Sequence, residues 1–223
     1  ELLWWSVPVL GVLLAMVGRR CSARASALVS AAALLVVAAA FVSGNRVAAS
    51  RVDAMAQAHF QGMTTLDKVL SPNPTNPFCW DVLLVQAGGG RYVVRHGLLS
   101  IAVPPRAAGC SQLLARPGTA PMTAVPAPAS RQMLWLGEFS GTTDSLIELV
   151  DNDCAARELM QFVRAPFATV VERHYVIGDL RFDREAGIGM SELVVDPERP
   201  GSCRHFVPWT SPRADLLSEA SAR

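Results

Sequence analysis

The chain has 223 residues, 51% of them hydrophobic, and a formal net charge of +1 at pH 7. Lys68 is its only lysine, and no run of basic residues occurs, so the composition argues against a nucleic-acid partner. The apolar residues are concentrated at the start, and the part after Asn45 has the length and composition of one soluble domain.

Two uncharged apolar stretches open the sequence, at residues 2–17 and 26–42. Each has about the length of the shortest helix that crosses a hydrocarbon core of about 30 Å. Residues 26–42 also lack the polar stripe of a soluble helix. The pattern predicts a transmembrane hairpin over residues 1–44, with the lipid bilayer as its partner; a buried helical pair and a cleaved signal peptide are the alternatives. Because the sequence opens with Glu1 and enters the first stretch at once, we expect a fragment or a processed product.

The arginines predict the orientation of the hairpin. Residues 18–24 join the two stretches and carry three arginines and no acidic residue, which favours a cytoplasmic location. Trp4 and Trp5 then lie at the outer interface, although Arg46 and Arg51 beyond the second stretch weaken the asymmetry. The predicted location is the inner (plasma) membrane, with the C-terminal domain periplasmic or extracellular.

Periodicity and turn residues predict the next elements. Residues 45–70 are expected to continue as a helix outside the membrane, since apolar residues recur there at three- to five-residue steps. Prolines end this helix, and residues 71–77 are expected to form a stiff, extended connector. Residues 78–86 and 91–101 are predicted strands, and the glycines at 88–90 make them a hairpin.

Residues 104–130 are rich in proline, alanine and glycine, which predicts a long and partly mobile loop. Short strands and helical segments follow it in mixed order. They are a strand at 132–139, a helical turn at 142–150, a capped helix at 151–164, and strands at 169–177, 180–182, 190–195 and 204–207.

These elements predict an α+β membrane protein: two N-terminal transmembrane helices followed by a mainly antiparallel sheet of five or six strands with at least one packed helix. Its predicted parts are listed in chain order: the hairpin at 1–44, a membrane-proximal helix and proline-rich connector at 45–77, an extramembrane α+β domain at 78–210 and a flexible tail at 211–223.

Five cysteines occur, and Cys21 falls in the predicted cytoplasmic loop. The other four fall in the outer domain: Cys79, Cys110, Cys154 and Cys203. In an oxidising compartment they predict up to two disulfides, with three possible pairings. Four buried free thiols are the alternative. Their spacing does not suit zinc, since no C-x-x-C motif occurs.

Catalytic motifs are scarce. The chain has four histidines, of which no two are four residues apart, and it has no nucleophile elbow, P-loop or dinucleotide fingerprint. His96 and His174 lie on different predicted strands and are weak candidates for a metal or acid–base cluster with Asp179 or Asp81. Scattered surface histidines are the alternative, and we assign no catalytic or metal-binding residue from the sequence.

Other conspicuous side chains have structural interpretations. Asp179 and Arg181 are two residues apart, which favours an ion pair or a turn contact over catalysis. The two Asn-Pro pairs at 73–74 and 76–77 are expected to position Trp80. Four aromatic residues are expected in the core rather than in a ligand groove: Trp80, Tyr92, Trp135 and Trp209.

Residues 70–80 (LSPNPTNPFCW), followed by a strand, Tyr92 and residues 97–100 (GLLS), form a recognisable pattern. It resembles the C-terminal part of the bacterial inner-membrane, LexA-regulated family of metal-dependent hydrolases, in which a P-x-P-x-N-P-x-x-W segment follows the last membrane helix. Residues 162–166 (FVRAP) and 178–182 (GDLRF) resemble two later anchors of that family. The matching motif residues are Pro72, Pro74, Asn76, Pro77, Trp80, Asp179 and Arg181.

The resemblance implies hydrolase-like membership but not hydrolysis by this chain. In the family, the metal ligands lie in earlier histidine- and aspartate-bearing motifs of the types T-H, P-D-x-D, R-G-x-T-H and H-x-x-x-D, and this sequence has none of them. A divalent metal is therefore expected only if segments outside this sequence supply its ligands. The alternatives are a non-catalytic envelope module that binds a partner membrane protein or lipid-like ligand, and an accessory subunit of a membrane complex.

Overall fold

The structure is a computed structural model that describes residues 22–74, 76–110, 121–127, 129–171, 173–182, 191–195 and 213–217. Its longest element is helix α1, Ala23–His59. The alanine-rich sequence favours a helix, and the hydroxyl oxygen of Ser22 caps it by accepting a hydrogen bond from the Ala25 amide at 3.4 Å.

Helix α1 has two halves with different surroundings. Its most apolar window has a mean hydropathy of 2.4, and none of that window is buried. In the second half, Ala48, Val52 and Ala56 recur every four residues and are buried against the sheet that follows. Within the described ranges, α1 is the one helix long and apolar enough to cross a membrane, and it contains the second predicted span. The first predicted span, at residues 2–17, lies outside the described residues.

Four antiparallel strands follow α1, in the spatial order in which they occur along the chain. Gly89 and Gly90 have positive φ angles of 60° and 73° and make the tight turn of the predicted hairpin. The strands are β1 (Thr64–Asn73), β2 (Asn76–Gly88), β3 (Arg91–Ser100) and β4 (Met133–Thr142).

The predicted helix at 45–70 is wrong beyond His59, where α1 ends. Gly62 adopts a left-handed φ of 83°, which turns the chain, and β1 then pairs with β2 along its length. The segment expected as an extended connector at 71–77 therefore forms the end of β1, a turn and the start of β2. The strand conformation of residues 64–73 comes from pairing with β2, and the spacing of apolar residues along the sequence gives no sign of that pairing.

The second half of the chain begins with helices α2 (Thr143–Asn152) and α3 (Cys154–Met160). The carboxylate of Asp153 caps α3 by accepting a hydrogen bond from the Ala156 amide at 2.8 Å, which is the interaction that the 151–153 acidic segment predicted. A three-stranded antiparallel sheet follows, in chain order: β5 (Pro166–Val171), β6 (His174–Asp179) and β7 (Glu192–Val195).

The α+β class and the mainly antiparallel pairing are confirmed, but the expected single sheet is wrong, since the strands form two sheets. The predicted strand at 169–177 is a hairpin, because Val171 pairs with His174 across a turn. Residues 180–182 form a turn rather than a strand. Unlike the β2–β3 turn, the β5–β6 turn contains no glycine or proline that would mark it in the sequence. The predicted strand at 204–207 lies outside the described residues.

The four-stranded sheet has α1 on one face and the other elements on the opposite face. Val82 and Leu84 of β2 pack toward α1, whereas Leu83 and Val85 face the main core. Helices α2 and α3 and the three-stranded sheet cover that second face, and Phe139 of β4 contacts Phe167 of β5 there with ring centroids 6.2 Å apart. The central sheet is therefore covered on both faces.

The predicted tail at 211–223 is ordered in the part that is described. Leu216 is completely buried in the main core, and Arg213 lies with its guanidinium 3.7 Å from the carboxylate of Asp67. An apolar residue in a polar segment fixes this stretch because burying one leucine side chain is worth about 2 kcal/mol. Residues 111–120 of the predicted loop at 104–130 lie outside the described residues, but Ala107 and Met122 of that loop are buried.

Candidate functional site

Among the residues that the structure describes, His96 and Asp81 form a candidate acid–base pair. They project from neighbouring strands β3 and β2 toward the same face of the sheet. The His96 ring nitrogen Nε2 lies 2.6 Å from Asp81 Oδ1. The imidazole is 1% exposed and the carboxylate 17%, so the carboxylate, and not the ring, faces outward.

The other members of the predicted cluster lie elsewhere. His174 is exposed at the start of β6, on the second sheet. Asp179 ends the same strand but is buried. Within the described ranges, no group of three or more histidine, cysteine, aspartate and glutamate side chains is placed to hold a metal ion. The weak candidates of the sequence are thus separated into one buried pair, one exposed histidine and one buried carboxylate.

Asp179 holds Arg181 in a fixed position. Its carboxylate accepts hydrogen bonds from the backbone amides of Arg164 and Arg181, both at 3.0 Å, and from Nε of Arg181 at 2.8 Å. Arg181 also donates from Nη2 to the carbonyl oxygen of Phe162 at 2.7 Å. The guanidinium is therefore immobilised by several partners while 22% of the side chain remains exposed. This is the ion pair and turn contact that the two-residue spacing predicted.

Arg181 and the proline-rich turn line a common cavity of about 270 Å³, which we call the proline cavity. It is lined by Trp80 and Asp81 of β2 and by residues 71–74 at the end of β1 and in the turn that follows. In the turn, Asn76 Oδ1 accepts a hydrogen bond from the Phe78 amide at 3.0 Å, and the Trp80 indole donates to the carbonyl of Pro77 at 3.1 Å. Arg181 is thereby brought close to residues about a hundred positions earlier in the sequence. These residues are Ser71, Pro72, Pro74, Trp80 and Asp81.

A second cavity of about 550 Å³ adjoins the first and shares Ser71, Asp81 and Arg181 with it. We call it the basic cavity, because it is also lined by Lys68 and Arg164, and Asn45 of α1 completes its rim.

Each cation of the basic cavity already has a carboxylate partner. The distances between the charged atoms are 2.5 Å for Lys68–Asp53, 2.9 Å for Arg164–Asp67 and 2.7 Å for Arg181–Asp179. Since these pairs neutralise each other, the cavity presents donor groups without a large positive potential.

Ser71 lines both cavities, but His96 does not activate it as a nucleophile. Ser71 lies opposite Asp81 on β1, whereas His96 lies on β3. Two strand spacings of about 4.8 Å separate the serine from the histidine. A general base must approach its nucleophile to about 3 Å, so His96 cannot accept a proton from Ser71.

Buried charge also occurs on the face toward α1. Arg95 donates from Nε to Glu138 at 2.8 Å and to the side chain of Gln86, and its guanidinium lies 3.7 Å from the centroid of the Phe60 ring. Burial lowers the pKa of Arg95, and Glu138 opposes that shift. Arg95 thereby ties the C-terminal end of α1 to the sheet and does not line either cavity.

The predicted aromatic core is present where it is described. Trp80 and Tyr92 are buried and Trp135 is partly buried, with its ring 5.4 Å from that of Phe60. Trp209 lies outside the described residues. The sequence did not single out Ser71, Lys68 or Arg164 as cavity residues. The sequence did contain one sign of the cavity, because Asp81 is a charged residue in an otherwise apolar strand.

Cys79 and Cys110 form a disulfide with Cα atoms 5.4 Å apart. Cys154 is also disulfide-bonded. Cys203, the fourth predicted partner, lies outside the described residues. The pairing of Cys79 with Cys110 joins the start of β2 to the loop after β3, beside the proline cavity.

Comparison of the chain with protein-family models, with curated proteins and with solved structures finds no match.

Proposed function

We propose that the chain is a membrane-anchored module whose two-sheet domain is held at the outer surface of the inner membrane and binds a partner there without catalysis by its own described residues. The observation that carries the proposal is the continuity of α1. The first half of one helix is apolar and unburied, and the second half is part of the domain's core. Because one continuous helix forms both parts, no hinge separates the proposed membrane span from the sheet.

Two observations support a periplasmic or extracellular domain. Disulfides persist in oxidising compartments, and Cys79, Cys110 and Cys154 are all disulfide-bonded. The arginine-rich segment at 18–24 precedes α1, which favours the cytoplasm for the N-terminal side of the span.

The proline cavity is the proposed binding site for the partner. Its apolar wall of Pro72, Pro74 and Trp80 and its polar groups Asp81 and Arg181 suit the side chains of a partner membrane protein. The cavity is smaller than most sites for drug-sized ligands, which start at about 300 Å³. An inserted side chain therefore fits better than a whole small molecule.

A second candidate function is the C-terminal region of a membrane-bound metal-dependent hydrolase. The motif residues that carry that resemblance converge: five of them are Pro72, Pro74, Trp80, Arg181 and the Asp179 that holds Arg181. In this case the domain would cover a metal centre whose ligands come from segments outside this sequence.

Membrane fractionation tests the anchor. We expect the chain to sediment with membranes, to resist extraction at alkaline pH and to need detergent for solubility. Leu35→Arg places a charge in the exposed apolar half of α1 and should release the chain, since a central arginine costs about 2.5–3.5 kcal/mol on insertion. The matched variant Ser50→Arg, on the exposed surface of the second half, should leave it bound. A monodisperse wild-type chain in buffer without detergent would refute the proposal.

Metal analysis of the purified chain separates the two candidate functions. The binding module should retain no stoichiometric zinc or manganese. Metal that is retained by the wild-type chain and lost in His96→Ala or His174→Ala would contradict the non-catalytic proposal. A sequence upstream of Glu1 with histidine- and aspartate-rich helices would favour the hydrolase candidate.

A further inference from the structure

Helix α1 and strand β2 contact each other at two points, and the distance between those points is nearly the same along both elements. This fixes the height of the sheet relative to the apolar half of α1. A Cβ on Gly44 would lie 3.1 Å from the Trp80 ring, and the Asp53 carboxylate binds Lys68, which is paired with Leu84. From Gly44 to Asp53 the helix rises about 13.5 Å. From Trp80 to Leu84 the strand rises about 13 Å. The two elements are therefore nearly parallel and leave the apolar segment in the same direction.

This alignment places the start of β2 beside the apolar half of α1. Phe78 precedes Trp80 by two residues, so it lies about 7 Å closer to that half. The same height on the helix is reached about four residues before Gly44, at Ala40. Ala40 belongs to the uncharged stretch 26–42, and Phe78 is 47% exposed at that height.

The loop after β3 lies at the same end of the sheet. The amide of Ile101 donates to the carbonyl of Phe78 at 2.8 Å, and the Cys79–Cys110 disulfide closes the loop against β2. A Cβ on Gly44 would also lie 3.4 Å from Ile101. The loop presents Val103, which is 90% exposed. A constrained apolar tip is thus formed beside the end of the span.

The sequence of this tip agrees with a lipid environment. Residues 69–80 contain no charged side chain, and neither do residues 97–105. Charges resume on both sides, with Lys68, Asp81 and Arg106. A surface at the level of lipid head groups favours apolar and tryptophan side chains and excludes acidic ones from the acyl boundary.

We propose that this tip, formed by the β1–β2 turn, Phe78 and the loop that carries Val103, is inserted into the head-group region of the bilayer. The proposal rests on the membrane anchoring argued above. The bilayer is the occupant because the tip lies level with the last turn of the anchor. Insertion at a second point would hold the sheet upright and place the proline cavity, which shares the β1–β2 turn with the tip, at the membrane surface.

Depth-dependent fluorescence quenching tests the insertion. The full chain carries a genetically encoded, environment-sensitive fluorescent residue at one position and is reconstituted in vesicles of phosphatidylcholine with phosphatidylglycerol. Two vesicle preparations are compared, with the quencher attached near the top of the acyl chain in one and near its end, at the bilayer centre, in the other. Three positions are compared: Val103 in the tip, Leu35 in the anchor and the exposed Gln61 at the far end of the sheet.

We expect a blue shift and quenching at Val103 and Leu35, and neither at Gln61. Quenching at Leu35 without quenching at Val103 overturns the insertion and leaves the anchoring intact. Absence of quenching at Leu35 refutes the anchoring and the insertion with it. Quenching at Gln61 as well overturns the upright arrangement. Protection of Val103 from an aqueous quencher without lipid quenching would identify a protein partner at the tip, which also overturns the proposal.

Discussion

Gly44 of helix α1 lies against Trp80 of the sheet so closely that a Cβ at position 44 would be 3.1 Å from the indole ring. Glycine inside a helix costs about 1 kcal/mol relative to alanine, so its presence here is explained by the approach of the ring. This contact joins the apolar half of α1 to the domain.

Gly44 substitutions should separate helix propensity from crowding. Gly44→Ala gains about 1 kcal/mol of propensity and loses a similar amount to the displaced ring, so its stability should stay close to wild type. Gly44→Leu cannot be accommodated and should destabilise the domain by about 1–3 kcal/mol. Denaturant unfolding in detergent, followed by tryptophan fluorescence, measures both. Ser50→Leu, on an exposed part of the same helix, is the control and should have little effect.

The Cys79–Cys110 disulfide closes a loop with a sequence separation of 31. A loop of this length predicts a loss of about 3.7 kcal/mol for Cys79→Ser, through greater freedom of the unfolded chain. Thermal unfolding with and without reductant is the measurement. A double variant, Cys79→Ser with Cys110→Ser, should lose no more than the single variant. An unchanged midpoint in all of these would show that the bond does not form in the protein.

The partner of Cys154 tests whether α1 crosses a bilayer. Cys154 is disulfide-bonded, and the two remaining cysteines are Cys21 and Cys203. If residues 18–24 are cytoplasmic, Cys21 is on the other side of the bilayer. Non-reducing peptide mapping should therefore find Cys154 linked to Cys203. A Cys154–Cys21 link would place both ends of α1 on the same side and would refute the proposed crossing of the bilayer by this helix.

Asp179→Asn should destabilise the fold and release Arg181. The buried carboxylate accepts three hydrogen bonds. The asparagine amide has one oxygen and one NH2 group, so its NH2 group would face an N–H donor and could not accept its hydrogen bond. Breaking such a buried charge pair costs about 3–5 kcal/mol, and partial exposure of Arg181 reduces this to about 2–4 kcal/mol. Urea unfolding measures the change. The exposed control Asp151→Asn should stay within about 0.5 kcal/mol of wild type.

Because Tyr92 is buried, we expect the free energy of unfolding to fall in alkaline solution. Burial raises the pKa of its phenol above the ordinary value of 10.0, because the phenolate would be desolvated. Above about pH 10 the unfolded chain ionises this tyrosine and the folded chain does not, so the stability that is present at neutral pH falls as the pH rises. Tyr92 is one of two tyrosines in the chain, and the tyrosinate absorbance of the folded state should lack its contribution near pH 10.

Tyr92→Phe is the matched variant for this effect. It should remove the contribution of Tyr92 to the alkaline loss of stability, which is measured by urea unfolding at neutral and alkaline pH. Tyrosinate absorbance that appears in the folded wild type near pH 10 and is absent from Tyr92→Phe would contradict the buried position of Tyr92.

The sequence by itself determined the elements whose causes are local. An uncharged stretch at 26–42 requires a helix that is apolar on every side, two glycines at 89 and 90 allow a tight hairpin turn, and Asp153 caps the helix that follows it. Each depends on residues within a few positions of one another, so composition and spacing suffice.

Only the tertiary structure decided how these elements combine. Strand β1 was hidden because its conformation comes from pairing with β2, and the β5–β6 hairpin because its turn carries no glycine or proline. The pairing of His96 with Asp81 depends on strand register, and the meeting of Arg181 with Pro72 and Trp80 depends on the packing of two sheets. Such contacts join positions up to about a hundred residues apart, and their free energy exists only after the intervening chain has folded, which is why local pattern contains no record of them.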